Sequence, residues 1–293
     1  MSDVYVADKY PEAPGLLQQR LIQHLQHIAI PRDPDWSPLG HRQVQTYLME
    51  QFSQWGSVAP FAVQSGQQTF HNLVVKIAGS HRSNPILVGA HFDAVPASPG
   101  ADDNASGVAV LLELAHYFHH HPPRCPVYLV AFDREERGLL GSMAYAAYLH
   151  NHHQKIRLML SLEMVGYRDP SPRSQRYPHP LLKRIYPSQG DFTALVGNPT
   201  SLLDMIHLSR HLHRQGIPSR WLPVPNRGLA LPDTRRSDHA PFWDHGHNAI
   251  MVTDTANLRN PHYHRLTDTV DTLDLAFLTG ICGGLADGIG SLG

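Results

Sequence analysis

The sequence predicts a single α/β domain over residues 1–293, with a mixed, mostly parallel central sheet and helices on both faces. Short continuous apolar runs at 85–91 (PILVGAH) and 127–133 (VYLVAFD) are typical of strands that are buried on both faces. Helical segments alternate with these runs, which indicates parallel strands joined by right-handed crossovers. Because the chain shows no internal repeat and no clear linker, one domain is the simplest arrangement.

The N-terminal half begins with two helices and a hairpin. Leu and Ile recur at helical spacing over 14–29, and the same pattern over 40–55 ends at Gly56. The runs 58–64 and 72–79 flank a polar stretch that contains Gly66, which predicts an antiparallel hairpin. After the strand at 85–91, the predicted elements are a helix over 105–119, a strand over 127–133, a helix over 138–150 and a strand over 156–166.

The C-terminal half contains less regular sequence. Residues 168–190 are rich in Pro, Arg, Ser and Tyr without periodicity, and we expect a long surface loop there. The predicted elements that follow are a strand over 191–197, a helix over 200–215, an irregular segment to 237, a helix over 239–246, a strand over 248–253 and a helix over 271–289.

The composition excludes some classes of protein. Lys and Arg total 24 against 25 for Asp and Glu, so no net field attracts nucleic acid or an anionic membrane. The N-terminal segment MSDVYVADKYPEAPGL lacks the features of a signal peptide, and no apolar stretch is long enough to span a bilayer. We therefore expect a cytoplasmic protein.

Histidine and cysteine need separate interpretations. Most of the 22 His, such as the run at 119–121, fall near predicted helix ends, and we interpret them as exposed. Cys125 and Cys282 lie in apolar settings without a CxxC partner, which favours two buried free thiols over a disulfide.

Acidic residues and His stand in three segments that follow two of the predicted strands. His91 and Asp93 end the strand at 85–91, Asp102 and Asp103 stand in the next loop, and the Glu135–Glu136 pair follows the strand at 127–133. In open parallel sheets this edge binds ligands, and zinc accepts these side chains. A chance His–Asp neighbour, an Asp helix cap and a solvated Glu pair are the alternatives for the three segments.

A fourth segment carries His262, His264 and Asp268, and Asp238 with His239 precedes it. Asp238 and His239 are candidates for a supporting pair behind the ligands, for substrate contacts, or for caps of the helix over 239–246.

Taken in order, HFD, GADDNASG, REERGLLGS, SLEMVGY, SDHAPFW and NPHYH…DT resemble the co-catalytic zinc aminopeptidase family. This family contains bacterial leucyl aminopeptidases and is related to glutamate carboxypeptidases and glutaminyl cyclases. The similarity runs from about residue 72 to 290.

The resemblance implies a role for each matched residue. Asp102 is implied as the carboxylate that bridges two Zn²⁺ ions, with a cis peptide bond between Asp102 and Asp103. His91 and Glu163 would complete one metal site, and Glu136 with His264 the other. Glu135 would be the general base and Asp93 would orient His91. The family often has Asp where this chain has Glu163, so Glu163 is expected as a ligand, with a substrate contact as the alternative.

The implied function is a zinc-dependent exopeptidase, specifically an aminopeptidase that hydrolyses peptides through a water bridging two metals. A glutaminyl cyclase-like acyltransferase with one zinc, a carboxypeptidase or dipeptidase of the same fold, and a non-catalytic binding module are the alternatives. A Ser–His–Asp hydrolase is disfavoured because no GxSxG elbow follows a strand.

Overall fold

The computed structural model of the protein describes residues 14–293. The α-helices are α1 (Pro14–Ile28), α2 (Pro38–Ser53), α3 (Gly107–His120), α4 (Leu140–Asn151), α5 (Pro180–Ile185), α6 (Leu202–Arg214), α7 (His239–Asp244) and α8 (Leu275–Ser291). The strands are β1 (Val58–Ser65), β2 (Gln68–Ile77), β3 (Ile86–His91), β4 (Val127–Phe132), β5 (Leu158–Glu163), β6 (Thr193–Gly197), β7 (Ser219–Pro223) and β8 (Ala249–Thr253). Residues 1–13, which form most of the N-terminal segment considered above as a signal peptide, lie outside the described residues.

The eight described strands form one sheet in the order β1-β2-β4-β3-β5-β8-β6-β7. The central strands β4, β3, β5 and β8 are parallel to one another, whereas the β1–β2 hairpin and the β6–β8 pair are antiparallel. The mixed, mostly parallel sheet predicted from the sequence is therefore confirmed. That the whole chain forms one domain stays a prediction.

Helices cover both faces of this sheet. The apolar faces of α1, α2, α3, α6 and α8 pack on one face, and α4 and α7 pack on the other. The central strands β3, β4, β5 and β8 are buried on both sides because their side chains alternate between these two layers. Cys125 and Cys282 are free and buried in this core, as predicted.

Two elements are absent from the sequence prediction. Residues 219–223 form β7, which pairs in parallel with β6 at the edge of the sheet, and residues 180–185 form α5 inside the predicted loop. The sequence of β7, SRWLP, has no continuous apolar run and is mostly unburied, and no residue of α5 is buried, so neither segment carries the pattern of a buried element. Tertiary contacts decide their conformation.

The central strands deliver their carboxyl ends to a single edge of the sheet. His91 ends β3 opposite Phe132 of β4, and Glu163 ends β5 opposite Thr253 of β8. The loops that follow these four strands therefore begin side by side. Among residues 14–293, none of the helices has both the length and the apolar character that crossing a bilayer requires.

Candidate metal centre

His91 is the first polar side chain at this edge, and it is fully buried. Its Nδ1 lies 3.5 Å from Oδ1 of Asp93 and 3.3 Å from the Asp93 carbonyl oxygen. With Nδ1 engaged in this way, Nε2 is directed towards the carboxylates of the neighbouring loops. This is the arrangement by which a carboxylate orients a metal-binding imidazole.

Asp103 lies between the two histidines. Its Oδ1 is 3.3 Å from Nε2 of His91, and its Oδ2 is 3.1 Å from Nε2 of His264. The backbone N–H groups of Asp102 and Asp103 donate to the two oxygens of Asp268, at 2.9 and 3.1 Å. Asp268 therefore holds the backbone from which the Asp103 side chain reaches the histidines.

Asp102 does not lie in this cluster, which corrects the ligand assignment that the resemblance implied. Its Oδ1 accepts the N–H of Gly166 at 2.9 Å, and its Oδ2 accepts Nδ2 of Asn260 at 2.6 Å. Both oxygens are thus engaged inside the protein. The cis peptide bond joins Asp103 to Asn104, so its expected position between Asp102 and Asp103 was wrong.

The sequence contained no local signal for choosing between the two aspartates. The hydrogen bonds of Asn104 help to decide which aspartate faces the histidines. Its Nδ2 donates to the Leu162 carbonyl at 2.7 Å, and its Oδ1 accepts the N–H of Met164 at 3.1 Å. These bonds tie the loop to the residues that flank Glu163 on both sides. Such a contact across almost 60 residues is invisible in local sequence patterns.

Glu135 and Glu136 are placed by Asp93. The carboxylate of Asp93 accepts the N–H of Glu135 at 3.0 Å and that of Glu136 at 3.1 Å. Oε2 of Glu136 then lies 3.3 Å from Nε2 of His264, whereas Oε2 of Glu135 lies 3.9 Å from Nε2 of His91. Asp93 therefore fixes both His91 and the glutamate loop.

Glu163 completes the cluster on the other side of His91. Its Oε2 is 3.6 Å from Nε2 of His91 and accepts the hydroxyl of Ser237 at 2.7 Å. Two groups of side chains are thus close enough to hold a metal ion: His91, Glu135 and Glu163, and His91, Asp103 and Glu136.

Three buried polar atoms of the cluster are suited to coordinating a cation. Among the described residues, Nε2 of His91, Oδ2 of Asp103 and Oε1 of Glu136 have no hydrogen-bond partner. His264 approaches Asp103 to 3.1 Å, but the angles are not those of a hydrogen bond. Atoms that are buried, close together and unbonded to one another match the ligands of a shared ion.

The electrostatics of the cluster also favour a cation. Burial raises the pKa of Glu135 well above its usual value, and Glu163 and Glu136 add to this rise. Burial, followed by the charge of Asp103, raises the pKa of Glu136 to about 7. Several carboxylates sharing a site cannot all stay ionised without compensation, and a divalent ion supplies it.

The remaining candidates of the fourth segment lie around the cluster. Burial raises the pKa of Asp238 to about 7 against the lowering effect of His91 and Ser142. His239 is fully buried with its Nε2 2.8 Å from the Thr234 carbonyl, and His262 contacts the hydroxyl of Thr267 at 2.9 Å. His262 therefore orders its loop, whereas His264 reaches the cluster.

An open cavity of about 880 Å³ adjoins the cluster at Glu163. Its floor is the sheet surface formed by Ala194 and Val196 of β6 together with Met251 of β8. The long 168–190 segment and β7 cover it with large side chains, namely Tyr177, Leu182, Tyr186, Trp221 and Leu222. The lining is therefore mostly apolar and aromatic, with Arg220, Asp233 and Arg236 as charged members besides Glu163.

This chain belongs to Peptidase family M28, whose family model matches residues 72–281. The resemblance to zinc aminopeptidases is thereby confirmed. The chain is 40% identical over 204 residues to the Escherichia coli protein YfbL, described as uncharacterized, which covers 64% of this chain and 61% of that protein. It is 43% identical over 82 residues to aminopeptidase YwaD of Bacillus subtilis, which covers 28% of this chain and 18% of that protein.

The chain thus spans less than two thirds of the length of these curated relatives. Among solved structures, the LapA aminopeptidase of Legionella pneumophila superposes with a TM-score of 0.73 at 20% identity, covering 100% of this chain and 78% of that one. A glutaminyl cyclase of Bacteroides thetaiotaomicron has a TM-score of 0.67 at 14% identity, covering 98% and 100%. The fold is therefore common to peptidases and cyclases, and only the site can distinguish them.

Proposed function

We propose that the protein is a zinc-dependent aminopeptidase that removes N-terminal residues from peptides and holds two zinc ions per chain. The observation that carries this proposal is the position of Asp103, whose two oxygens face His91 and His264 separately. A carboxylate approached on both sides by imidazoles is suited to bridging two neighbouring cations.

The proposed ligands divide into two sets that share Asp103. His91, Asp103 and Glu163 would hold one ion, and Asp103, Glu136 and His264 the other. When bound, the two zinc ions supply Lewis-acid polarisation of the peptide carbonyl and lower the pKa of water to about 7.

Glu135 is assigned as the general base, not as a ligand. Its Oε2 lies 3.9 Å from Nε2 of His91, farther than Oδ1 of Asp103 at 3.3 Å or Oε2 of Glu163 at 3.6 Å. A carboxylate just outside the ligand set can accept a proton from the attacking water and donate it to the departing amine. Asp93 keeps Glu135 in place through its backbone.

The adjoining cavity supports a preference for a large apolar N-terminal residue. Met251, Leu222 and aromatic rings supply much of its floor and walls, alongside the charged side chains of Arg220, Asp233 and Arg236, and apolar surface gains most from burying an apolar side chain. Glu163 lies at the junction of cavity and cluster, so a side chain in the cavity would bring its own peptide bond to Glu135.

A glutaminyl cyclase-like reaction with one zinc is the second candidate, because a cyclase shares the fold. The two candidates differ in their metal requirement. The complete second set of Glu136 and His264 around Asp103 favours two ions.

The test uses aminoacyl and N-blocked chromogenic anilides, together with a peptide that has N-terminal glutamine. We expect hydrolysis of unblocked leucyl and phenylalanyl anilides, loss of activity on chelation, recovery with zinc, and two zinc ions per chain by elemental analysis. Release of pyroglutamate with one zinc per chain would establish the cyclase instead. Hydrolysis of the N-blocked substrates would contradict the aminopeptidase assignment.

A further inference from the structure

The connection between α1 and α2, residues 29–37, packs behind the candidate metal centre although it lies outside the residues that the M28 family model matches. Arg32 of this connection is completely buried. A buried guanidinium ordinarily binds a carboxylate. The hydrogen bonds of Arg32 instead go to backbone carbonyl groups.

Four of those carbonyl groups belong to the segment between β3 and α3 that carries Asp103, and the others to Ile28 and Ile30. Nε of Arg32 donates to the carbonyl of Phe92, next to His91, at 2.8 Å. Nη2 donates to the carbonyls of Gly100 at 2.8 Å and Asp103 at 3.2 Å. Nη1 donates to the carbonyl of Ile28 at 3.1 Å and also to that of Pro99. One rigid fork thus joins β3, the Asp103 loop and α1.

The Asp103 loop is shaped to receive this guanidinium. Gly100 has a φ of +57°, and a Cβ added there would lie 2.2 Å from the Asp103 carbonyl oxygen and 2.9 Å from Nη2 of Arg32. Only glycine fits both the backbone conformation and the approach of the guanidinium. The contact between Arg32 and this loop is therefore close and leaves little room for adjustment.

The next residue of the connection reaches the glutamate loop. Asp33 is buried, and its Oδ2 lies 2.9 Å from Nη2 of Arg137, which immediately follows Glu136. Asp35 adds a contact of 3.2 Å to the same nitrogen. Asp33 also caps its own turn by accepting the N–H groups of Asp35 and Trp36 at 2.8 and 2.7 Å. The turn is therefore rigid on the side that holds Arg137.

We propose that the α1–α2 connection is a positioning device that sets the distance between the Asp103 loop and the glutamate loop. Arg32 positions Asp103 and His91 through their backbone, and Asp33 positions Glu136 and Glu135 through Arg137. None of these residues touches the metals or substrate. This inference rests on the proposed zinc site and adds to it the residues that keep its two ligand loops in register.

A permanent cation at this position has an electrostatic reason. Asp103, Asp268, Asp93 and Glu136 all act on the buried guanidinium of Arg32, and they repel one another when ionised. Arg32 offsets part of that repulsion before zinc arrives, because arginine stays charged at any physiological pH. The backbone of the site is thus held in place, and the repulsion among its carboxylates is partly offset, before zinc binds.

The experiment compares three variants of the full chain. Arg32→Lys keeps the charge but loses the fork, Arg137→Met releases the glutamate loop, and Arg42→Met is the control, because Arg42 is an exposed residue of α2. The readouts are zinc affinity in chelator-buffered titrations, the visible absorption spectrum of the Co²⁺-substituted protein, kcat and KM for leucyl anilide, and thermal unfolding of the metal-free protein.

We expect Arg32→Lys to weaken zinc binding by about 10- to 100-fold and to change the Co²⁺ spectrum, the usual scale for removing a residue that orients ligands. Arg137→Met should lower kcat by about tenfold with little change in KM, since the base moves while the cavity does not. Arg42→Met should match the wild type in every readout.

Folded Arg32→Lys and Arg137→Met proteins with wild-type zinc affinity, spectrum and kcat would overturn the proposal, even if both unfold at lower temperature. If Arg32→Lys does not fold, Arg137→Met and Asp33→Asn decide by the same criteria. A wild-type protein that binds no zinc would instead overturn the proposed function, and the positioning role with it.

Discussion

The candidate metal centre and the adjoining cavity occupy the same edge of one sheet but are built differently. Four of its side chains lie at the ends of β3, β4 and β5 or within four residues of them, whereas Asp103 and His264 come from farther along the loops after β3 and β8. The cavity is assembled from β6, β7, β8, the 168–190 segment and the loops that follow β7 and β8. Chemistry here depends on local loops, whereas the proposed selectivity depends on long-range packing.

This difference has energetic consequences. Removing a ligand or the base leaves a buried charge without its partner, which has a large effect on binding and turnover. Removing one wall of the cavity changes only the contact area available to a substrate side chain, and each such change is modest. Substitutions in the two regions should therefore separate metal binding and kcat from substrate selectivity.

The largest expected effect concerns the two adjacent aspartates. Asp103→Asn should lose zinc and essentially all activity, because the bridging charge is gone. Asp102→Asn should keep both zinc ions but lose roughly 1–3 kcal/mol of stability, because an amide cannot serve both Gly166 N–H and Asn260 Nδ2 as acceptor. Zinc analysis and denaturant unfolding of both variants check this. Zinc loss in Asp102→Asn alone would restore the assignment implied by the family resemblance.

Replacing the general base is expected to have the next largest effect. Glu135→Gln should reduce kcat by about 10²- to 10⁴-fold while the zinc content stays that of the wild type. The amide keeps the size of the side chain but cannot accept the proton. Steady-state kinetics with elemental analysis on the same preparation measure both quantities. Retention of most of the activity would show that another group is the base.

A smaller effect is expected in the cavity. Ala194→Phe fills part of the floor, so kcat/KM for leucyl and phenylalanyl anilides should fall by about 10- to 100-fold, whereas alanyl anilide should be cleaved almost as before. Leu203→Phe, at an exposed position of α6, provides the control. Equal losses for all three substrates in Ala194→Phe would mean that the cavity does not receive the N-terminal side chain.

The smallest effect concerns stability and pH, away from the ligands. Burial lowers the pKa of His239 to about 4 from its ordinary value of 6.5. The unfolded chain therefore binds this proton first, and the stability present above pH 6.5 is lost as the pH falls towards 4. The loss attributable to His239 at pH 4.5 should be on the order of 2 kcal/mol.

His239→Gln can still donate to the Thr234 carbonyl, as His239 does, but does not titrate. Urea unfolding of the metal-free proteins in chelator, at pH 4.5 and pH 7, compares the two chains without interference from zinc release. A shallower pH dependence in the variant supports the assignment. Identical slopes would indicate that His239 is protonated at its ordinary pKa in the folded protein.

The candidate metal centre and the cavity also differ in how far the sequence predicts them. Continuous apolar runs located β3, β4 and β5, and helical spacing located α1 and α2, because burial on defined faces imposes a period. The motifs that carry the family resemblance named His91, Glu135, Glu136, Glu163 and His264, which the structure brings together, and their roles stay predictions. In contrast, β7 and α5 bury little of their surface and so show no apolar pattern, and these parts of the cavity wall were predicted as irregular.

The sequence by itself determined the fold class, the edge of the sheet that carries the chemistry and the types of side chain gathered there. Only the tertiary structure decided which of two adjacent aspartates faces the histidines, which residues wall the cavity and what Arg32 binds. The reason is physical. Periodicity records which face of an element is buried, whereas the direction of a loop side chain depends on hydrogen bonds to residues far away in the chain, such as those of Asn104 to the end of β5.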